Sequence, residues 1–221
     1  MDVFINDIIV YLPQIMAGLK NTVLLMVIMS VTGLFGGVAV FYLTLSRTNA
    51  VRTWAERYIS FFIGTPLLVH LFLMYYGLPQ FGVHWSAFTV CIVGFTLNVS
   101  AYNARYLMTA YHGLDQTELE AARAQGFTHP EIFHLIILPQ VMRLSVPSLT
   151  NQVIQNLKDT SVAFLIQYPD FFAQVQEIAS TNFQFFKAYV TAGLVYLALV
   201  SIIVLAARRL EKHIRLPGFQ T

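Results

Sequence analysis

Four consecutive polar residues, Lys158, Asp159, Thr160 and Ser161, end one of the long apolar stretches of this sequence. A carboxylate accepts hydrogen bonds from an ammonium group and hydroxyl groups both donate and accept them, so this run has the chemistry to bind a polar solute. Ionisable groups are costly at membrane depth and usually serve a function there. One alternative stays open: Lys158 and Asp159 pair with each other and cap a helix while Lys158 snorkels to the membrane surface.

Further polar residues interrupt two other apolar stretches. Asn98 and Tyr102 are four residues apart and share one face of a helix, where they line a pathway or hold helices together. Thr65 precedes Pro66, which kinks a helix because proline lacks a backbone donor. We take Thr65, Asn98 and Tyr102 as candidate solute contacts. Arg105 is given no ligand role, since snorkelling or pairing with a lipid phosphate explains it at lower cost.

No catalytic centre is recognisable in the sequence. The single cysteine, Cys91, lies in an apolar stretch and is predicted to be a small buried hydrophobe. His70 is predicted to be a core histidine with satisfied hydrogen bonds. There is no G-x-x-x-x-G-K-S/T loop for phosphates and no Ser/His/Asp, Cys/His or paired-carboxylate arrangement. We therefore predict no enzyme activity, metal or cofactor in this chain, and its net charge of +2 without a basic cluster argues against nucleic acid.

The composition indicates that a lipid bilayer is the solvent. Hydrophobic residues make up 57% of the chain, only 11% of residues are charged, and the mean hydropathy is +0.63. Helices of about 20 apolar residues cross a bilayer. We predict an all-α, polytopic membrane protein with one transmembrane domain over residues 1–221 and five spans, near residues 20–45, 58–79, 86–105, 132–157 and 188–208.

The distribution of basic residues predicts the topology. Arginines follow the first span and basic residues crowd the C-terminal end, whereas the turn after the second span has neither lysine nor arginine. Because lysine and arginine in short loops stay in the cytoplasm, the C-terminus is predicted inside and the N-terminus outside. Residues 158–187 are predicted to lie outside, with broken or partly re-entrant helices. The acidic N-terminus does not resemble a cleaved signal peptide.

The polar segment between the third and fourth spans is predicted to form two helices joined by a corner. Thr117 and Glu120 have the spacing of a capping box, which starts a helix over residues 118–125. Gly126 can end that helix in a left-handed conformation. Thr128 and Glu131 form a second capping box and start the next helix. Small residues in the first helix would let another protein approach its backbone closely.

This segment resembles the EAA motif of the permeases of ABC importers, EAA-x3-G-x9-I-x-L-P. All seven defined positions match: Glu120, Ala121, Ala122, Gly126, Ile136, Leu138 and Pro139. The resemblance implies a type I importer fold in the bacterial inner membrane and a coupling helix that inserts in a groove of a separate ATP-binding subunit. The contacts it implies with that ATPase are Glu118, Glu120, Ala121, Ala122, Arg123 and Gly126.

The same resemblance implies a set of partners. A dimer of ATP-binding cassette subunits would bind ATP and Mg, a second permease subunit would complete a homodimer or heterodimer, and an external binding protein would deliver the solute. A self-contained channel or secondary transporter is the alternative from another class. It would leave the segment from Glu120 to Pro139 without a task, and five spans offer no inverted repeat.

Several stretches resemble the polar amino acid subfamily, the histidine, glutamine and arginine type permeases. They include Gly18–Thr22, Gly64–Leu68, Tyr75–Pro79, Ile137–Gln140 and Leu157–Ser161. For an amino acid, Asp159 would accept from the ammonium group, with Thr160 and Ser161 as hydrogen-bonding neighbours.

Three residues depart from that subfamily's pattern, which commonly has Arg, Glu and Arg where this chain has Ile63, Arg105 and Met108. These departures favour one half of a heterodimer. They also keep two alternatives open, a permease for an amino acid derivative or other small solute, and a subunit that never binds substrate.

Overall fold

The long apolar stretches of the sequence form long helices in the computed structural model, which describes residues 8–214, with side chains described up to residue 209. No strand occurs within these residues. The main helices, in chain order, are α1 (Leu12–Thr44), α2 (Asn49–Gly64), α3 (Leu67–Phe72), α4 (Ala87–His112), α5 (Gln116–Ala124), α6 (His129–Ile132), α7 (Leu138–Asp159), α8 (Phe171–Asn182) and α9 (Phe185–Ile214).

Four of the described helical segments are long and apolar enough to cross a membrane. They are Leu12–Thr44, Ala87–His112, His129–Ile166 and Phe185–Arg209. A fifth candidate is a bent pair, Asn49–Gly64 with Leu67–Phe81, whose halves meet at 98°. The chain is thus all-helical with four or five candidate spans. The helices begin before or end after the predicted spans because apolar residues mark only the part of a helix that contacts lipid.

The bend in the second span lies at Thr65 and Pro66. Thr65 is extended, with φ −114° and ψ 133°, as the residue before a proline prefers to be. After Pro66, α3 continues through a π turn and a 3-10 turn to Phe81. We call Leu67–Phe81 the arm. The sequence predicts a kink here, and in the structure the two helices meet at nearly a right angle.

Helices α1 and α4 form the centre of the bundle, because small residues let their backbones approach closely. A Cβ atom added to Gly33, Gly36 or Gly37 of α1 would overlap the side chains of Val99, Ser100 and Asn103 of α4. Cys91 is buried and free, as predicted. Around this pair, apolar side chains form separate clusters toward the two ends of the bundle.

Residues 158–187 include a short 3-10 helix at Thr160–Ile166 and the twelve-residue helix α8. Asp170 begins α8, because its Oδ1 accepts a hydrogen bond of 2.8 Å from the Ala173 N–H. The Phe171 N–H donates to the Thr22 hydroxyl at 2.9 Å, which ties α8 to α1. This segment is therefore a packed part of the bundle and not a free loop.

Candidate functional site

The first candidate site is the polar corner between α4 and α7, residues 115–132, which we call the elbow. Helix α5 begins at Gln116 and not at Glu118, because Asp115 is its N-cap: Asp115 Oδ1 accepts from the Thr117 N–H at 2.8 Å. The predicted Thr117–Glu120 capping box is therefore wrong. Hydrogen bonds from the Thr117 side chain and backbone hold the pKa of Asp115 below its usual value.

Gly126 has φ +87°, so the predicted left-handed corner is confirmed. The Phe127 N–H donates to the Ala122 carbonyl at 3.2 Å, and the Gly126 N–H donates to the Arg123 carbonyl at 3.0 Å. Together these two bonds form a Schellman motif, which satisfies carbonyls that the end of a helix would otherwise leave unpaired. A Cβ added at Gly126 would meet no atom within 4 Å, so only the backbone conformation demands glycine here.

The second half of the elbow begins as predicted, at the Thr128–Glu131 capping box. The Glu131 carboxylate accepts from both the N–H and the hydroxyl of Thr128, each at 2.7 Å. Both hydrogen bonds lower the pKa of Glu131, and the bond from the Thr128 side chain has the larger effect. His129 Nε2 lies 3.1 Å from the Leu45 carbonyl at the end of α1. The elbow is thus fixed to a membrane helix by a polar contact.

The faces of α5 divide between the bundle and solvent. Leu119 and Ala122 are buried, and pack in one apolar cluster with Phe41, Leu107 and Phe133. Glu118, Glu120, Ala121, Arg123 and Gly126 are exposed. The Glu118 carboxylate accepts from the Gln140 side chain at 3.0 Å. Of the six predicted ATPase contacts, Ala122 therefore faces the bundle, and the other five are exposed.

The second candidate site is the polar run at the end of α7. Asp159 is half-buried, and its carboxylate accepts a hydrogen bond of 2.7 Å from Gln155. Thr160 is fully buried and its hydroxyl donates to the Leu157 carbonyl, while Ser161 donates to the Lys158 carbonyl, both at 2.7 Å. Those two hydroxyls are used by their own helix. Lys158 is exposed and makes no direct ion pair with Asp159, but it lies near enough to interact electrostatically with that carboxylate, so the alternative in which the two residues pair stays open.

Asn98 has a structural partner at the bend. Its side-chain amide donates to the Phe62 carbonyl at 2.9 Å. Phe62 lies four residues before Pro66, which has no N–H to offer that carbonyl. Asn98 thus supplies the hydrogen bond that the proline removes. Thr65, which precedes Pro66, is half-buried. Tyr102 is half-buried one helical turn further along the same face of α4.

A polar chain that we did not predict links α4, α7 and α1. Tyr106 donates to Gln152 at 3.4 Å, Gln152 donates to Asn156 at 2.8 Å, and Asn156 donates to Ser30 at 2.9 Å. Gln152 and Asn156 are buried. Their i, i+4 spacing in a membrane helix was the available signal. Such bonds hold helices together where water is absent.

Two further ionisable groups, His70 and Asp170, are buried. His70 is buried, but neither ring nitrogen has a hydrogen-bond partner among the described residues, so its hydrogen bonds are not satisfied as predicted. Its ring packs against those of Phe61 and Phe62, at centroid distances of 5.3 and 4.9 Å. Asp170 is fully buried, and burial raises its pKa to about 6. Its N-capping role follows from its position before an apolar helix.

Comparison with known proteins now adds to this geometry. Residues 33–216 match the family model described as binding-protein-dependent transport system inner membrane component. The chain belongs to this family. It is a multi-pass permease subunit of a type I ABC importer, a class that operates with an ATPase and a binding protein.

Individual relatives agree with the family assignment. The chain is 42% identical over 152 residues to the probable amino-acid ABC transporter permease protein PatM of Vibrio harveyi, covering 67% of this chain and 68% of PatM. It is 35% identical over 193 residues to the probable amino-acid permease protein YxeN of Bacillus subtilis, covering 86% of both. A crystal structure of an amino acid ABC transporter with histidines has a TM-score of 0.86 and 29% identity, covering 96% of this chain and 99% of that one.

Proposed function

We propose that this permease subunit forms the translocation pathway for a polar amino acid or a close derivative. The observation that supports coupling of this pathway to an ATPase is the elbow. It is an exposed helix with a rigid corner, anchored to the bundle through Leu119 and His129. A rigid element of this kind transmits a movement of a docked protein to the membrane helices. The substrate class is supported by relatives whose names describe amino-acid permeases.

The partner that docks on the elbow is an ATP-binding cassette subunit, which holds ATP and Mg and performs the hydrolysis. Glu118, Glu120, Ala121, Arg123 and Gly126 form the docking surface, since they are exposed on the elbow. With this surface in the cytoplasm, the C-terminus is also cytoplasmic, the N-terminus is outside, and the external binding protein docks on the opposite face. This chain has no catalytic role of its own.

The solute site in this proposal centres on Asp159. Its half-buried carboxylate accepts from one neutral donor, Gln155, and is available to accept from an ammonium. Tyr102 and the bend at Thr65 are the other candidate contacts. Asn98 holds the bend through Phe62, and Lys158 stands at the exposed edge of the site. Thr160 and Ser161 help to shape the backbone beside Asp159 and do not offer free hydroxyls.

The test is ATPase activity of the purified complex in proteoliposomes, with its binding protein, across a panel of amino acids. We expect at least one polar amino acid or derivative to stimulate hydrolysis. Asp159→Asn should reduce transport strongly while the complex still assembles, and Tyr102→Phe should raise the half-saturating concentration. An unchanged transport rate in Asp159→Asn would remove Asp159 from the site. Purification of the native complex then decides between homodimer and heterodimer, because the second permease species is either present or absent.

A further inference from the structure

Arg105 is a cation without a partner in a helix long and apolar enough to cross the membrane. Helix α4 is continuous from Ala87 to His112, and Arg105 lies seven residues before its end, about 10 Å along the axis at about 1.5 Å per residue. Its side chain is exposed and makes no hydrogen bond or ion pair within the described residues. The sequence-based expectation, in which Arg105 ends the third span and snorkels to a lipid phosphate, is revised here, because α4 continues seven residues beyond Arg105. A guanidinium within the helix and on a polar face calls for an anion inside the bundle.

The neighbours of α4 show which way Arg105 faces. Each residue turns a helix by about 100°, which puts Arg105 within about 20° of Asn98 and on the side of α4 opposite to Val99, Ser100 and Asn103, which pack against α1. On one side of this stripe, the Leu97 carbonyl accepts from Tyr58 of α2 at 2.7 Å. On the other side, Tyr106 donates to Gln152 of α7. Arg105 therefore lies on the face of α4 between its contacts with α2 and its contacts with α7, a face that we call the cleft.

The arm bounds this cleft at one end. Gly94 lies on the same face of α4, about 16 Å from Arg105 at about 1.5 Å per residue. A Cβ added there would meet the Leu71 side chain of the arm, so the arm covers this face at Gly94. The stripe below it is polar, with Asn98, Tyr102, Arg105 and Thr109 in order. A surface that faces only lipid tails would be apolar, so this stripe has the character of a pathway wall.

The carboxylates of the bundle do not neutralise Arg105. Helices α1 and α4 contain no acidic residue, and α7 contains only Asp159. Helix α2 carries Glu56, which lies near Met108 and Tyr111 of α4 but forms no ion pair with Arg105 among the described residues. Gln152 contacts Tyr106, the neighbour of Arg105, and Asp159 lies seven residues beyond Gln152, about 10 Å along α7 at about 1.5 Å per residue. The cleft thus presents an acceptor for an ammonium at one level and a donor for a carboxylate at another. A simple α-amino acid carries these two groups on one carbon atom.

We propose that Arg105 is a specificity-determining residue, and that the solute of this permease is an amino acid or amino acid derivative with a second, distal acidic group. The proposal rests on the proposed amino-acid pathway and names its substrate class. The planar guanidinium binds such a carboxylate through two parallel hydrogen bonds. The α-ammonium binds at Asp159. A neutral or cationic side chain leaves the charge of Arg105 unpaired in the cleft.

The experiment measures solute binding to the purified permease–ATPase complex without the binding protein, so that the binding protein's own selectivity does not enter. The probes are L-glutamine, L-glutamate, L-2-aminoadipate and L-arginine. Glutamine and glutamate have nearly the same shape and differ in charge. The matched control is Arg143→Gln, because Arg143 is an exposed arginine nine residues from Gln152, on about the opposite side of α7.

We expect the wild-type complex to bind glutamate or aminoadipate at least tenfold tighter than glutamine. Arg105→Gln should reduce this preference over glutamine about tenfold, and Arg143→Gln should leave it unchanged. Arg105→Glu should bind arginine more tightly than glutamate. Basal ATPase activity shows that each variant is folded and assembled. Equal binding of glutamine and glutamate by the wild type, or an unchanged ratio in Arg105→Gln, overturns the proposal but not the pathway. If no probe binds and no amino acid stimulates ATPase activity, the amino-acid pathway itself fails.

Discussion

The left-handed corner at Gly126 gives the sharpest prediction for the elbow. At φ +87° an L-residue brings its Cβ close to its own carbonyl, at a cost of about 1–2 kcal/mol, and a β-branched residue suffers more. Because a Cβ at this position meets no neighbouring atom within 4 Å, the cost is all backbone strain. Gly126→Val should therefore weaken the Schellman motif. The population ratio of distorted to native elbow conformations should rise about 5–30-fold.

The assay compares wild type, Gly126→Val and Gly126→Asn in proteoliposomes with the ATPase and the binding protein. We expect Gly126→Val to insert normally, to bind the ATPase at least fivefold more weakly, and to lose a similar share of solute-stimulated hydrolysis. Asparagine tolerates the left-handed conformation, so Gly126→Asn should stay close to wild type. Equal coupling in the valine and asparagine variants would refute the reasoning, because it would mean that the corner conformation does not matter.

Three further predictions concern hydrogen bonds of the elbow and the bend. Asp115→Ala should weaken the amide protection of α5 more than Thr117→Ala does, measured by amide hydrogen exchange in the elbow; equal effects would restore Thr117 as the cap. The pKa of Glu131 is lowered in the folded state, so its contribution to stability is full above the unfolded value and is lost as the pH falls through the folded value. Elbow protection should therefore fall with acidification in wild type and less so in Glu131→Gln; identical pH profiles would contradict the capping role. Asn98→Ala should leave the Phe62 carbonyl unpaired and lower thermal stability by about 1–3 kcal/mol, with Asn98→Ser less affected, and an unaltered melting temperature would exclude this bond as a support of the bend.

The sequence was most informative where one local interaction determines the structure. Gly126, the Thr128–Glu131 pair and the break at Pro66 each depend on residues within a few positions of one another, and all three form as predicted. The cap of α5 is the exception, because the prediction placed it at Thr117 and the structure has it two residues earlier. Asp115 has this role since its carboxylate reaches the Thr117 N–H directly.

Contacts between distant helices could not be predicted from one sequence. The chain from Tyr106 through Gln152 and Asn156 to Ser30 joins three helices, and the pairing of Asn98 with Phe62 depends on how α2 packs on α4. The sequence places such residues on a face of a helix. Only the packing decides which of them bind one another and which remain available for a solute.

For the candidate solute site, the sequence did not predict the hydrogen-bond partner of each side chain. Thr160 and Ser161 donate to carbonyls of their own helix, which a hydroxyl can do wherever a helix continues in apolar surroundings. Asp159 has no such option, because a carboxylate needs a donor, and it binds Gln155 instead.

The central claim, that the elbow couples a separate ATPase to solute movement through this bundle, is tested most directly by uptake into proteoliposomes. The complex is reconstituted with ATP on the side of the elbow and the binding protein with labelled amino acid on the other. We predict uptake that requires ATP, the ATPase subunit and the binding protein together. Uptake by the permease alone down an ion gradient, or uptake unaffected by removal of the ATPase, would contradict the account.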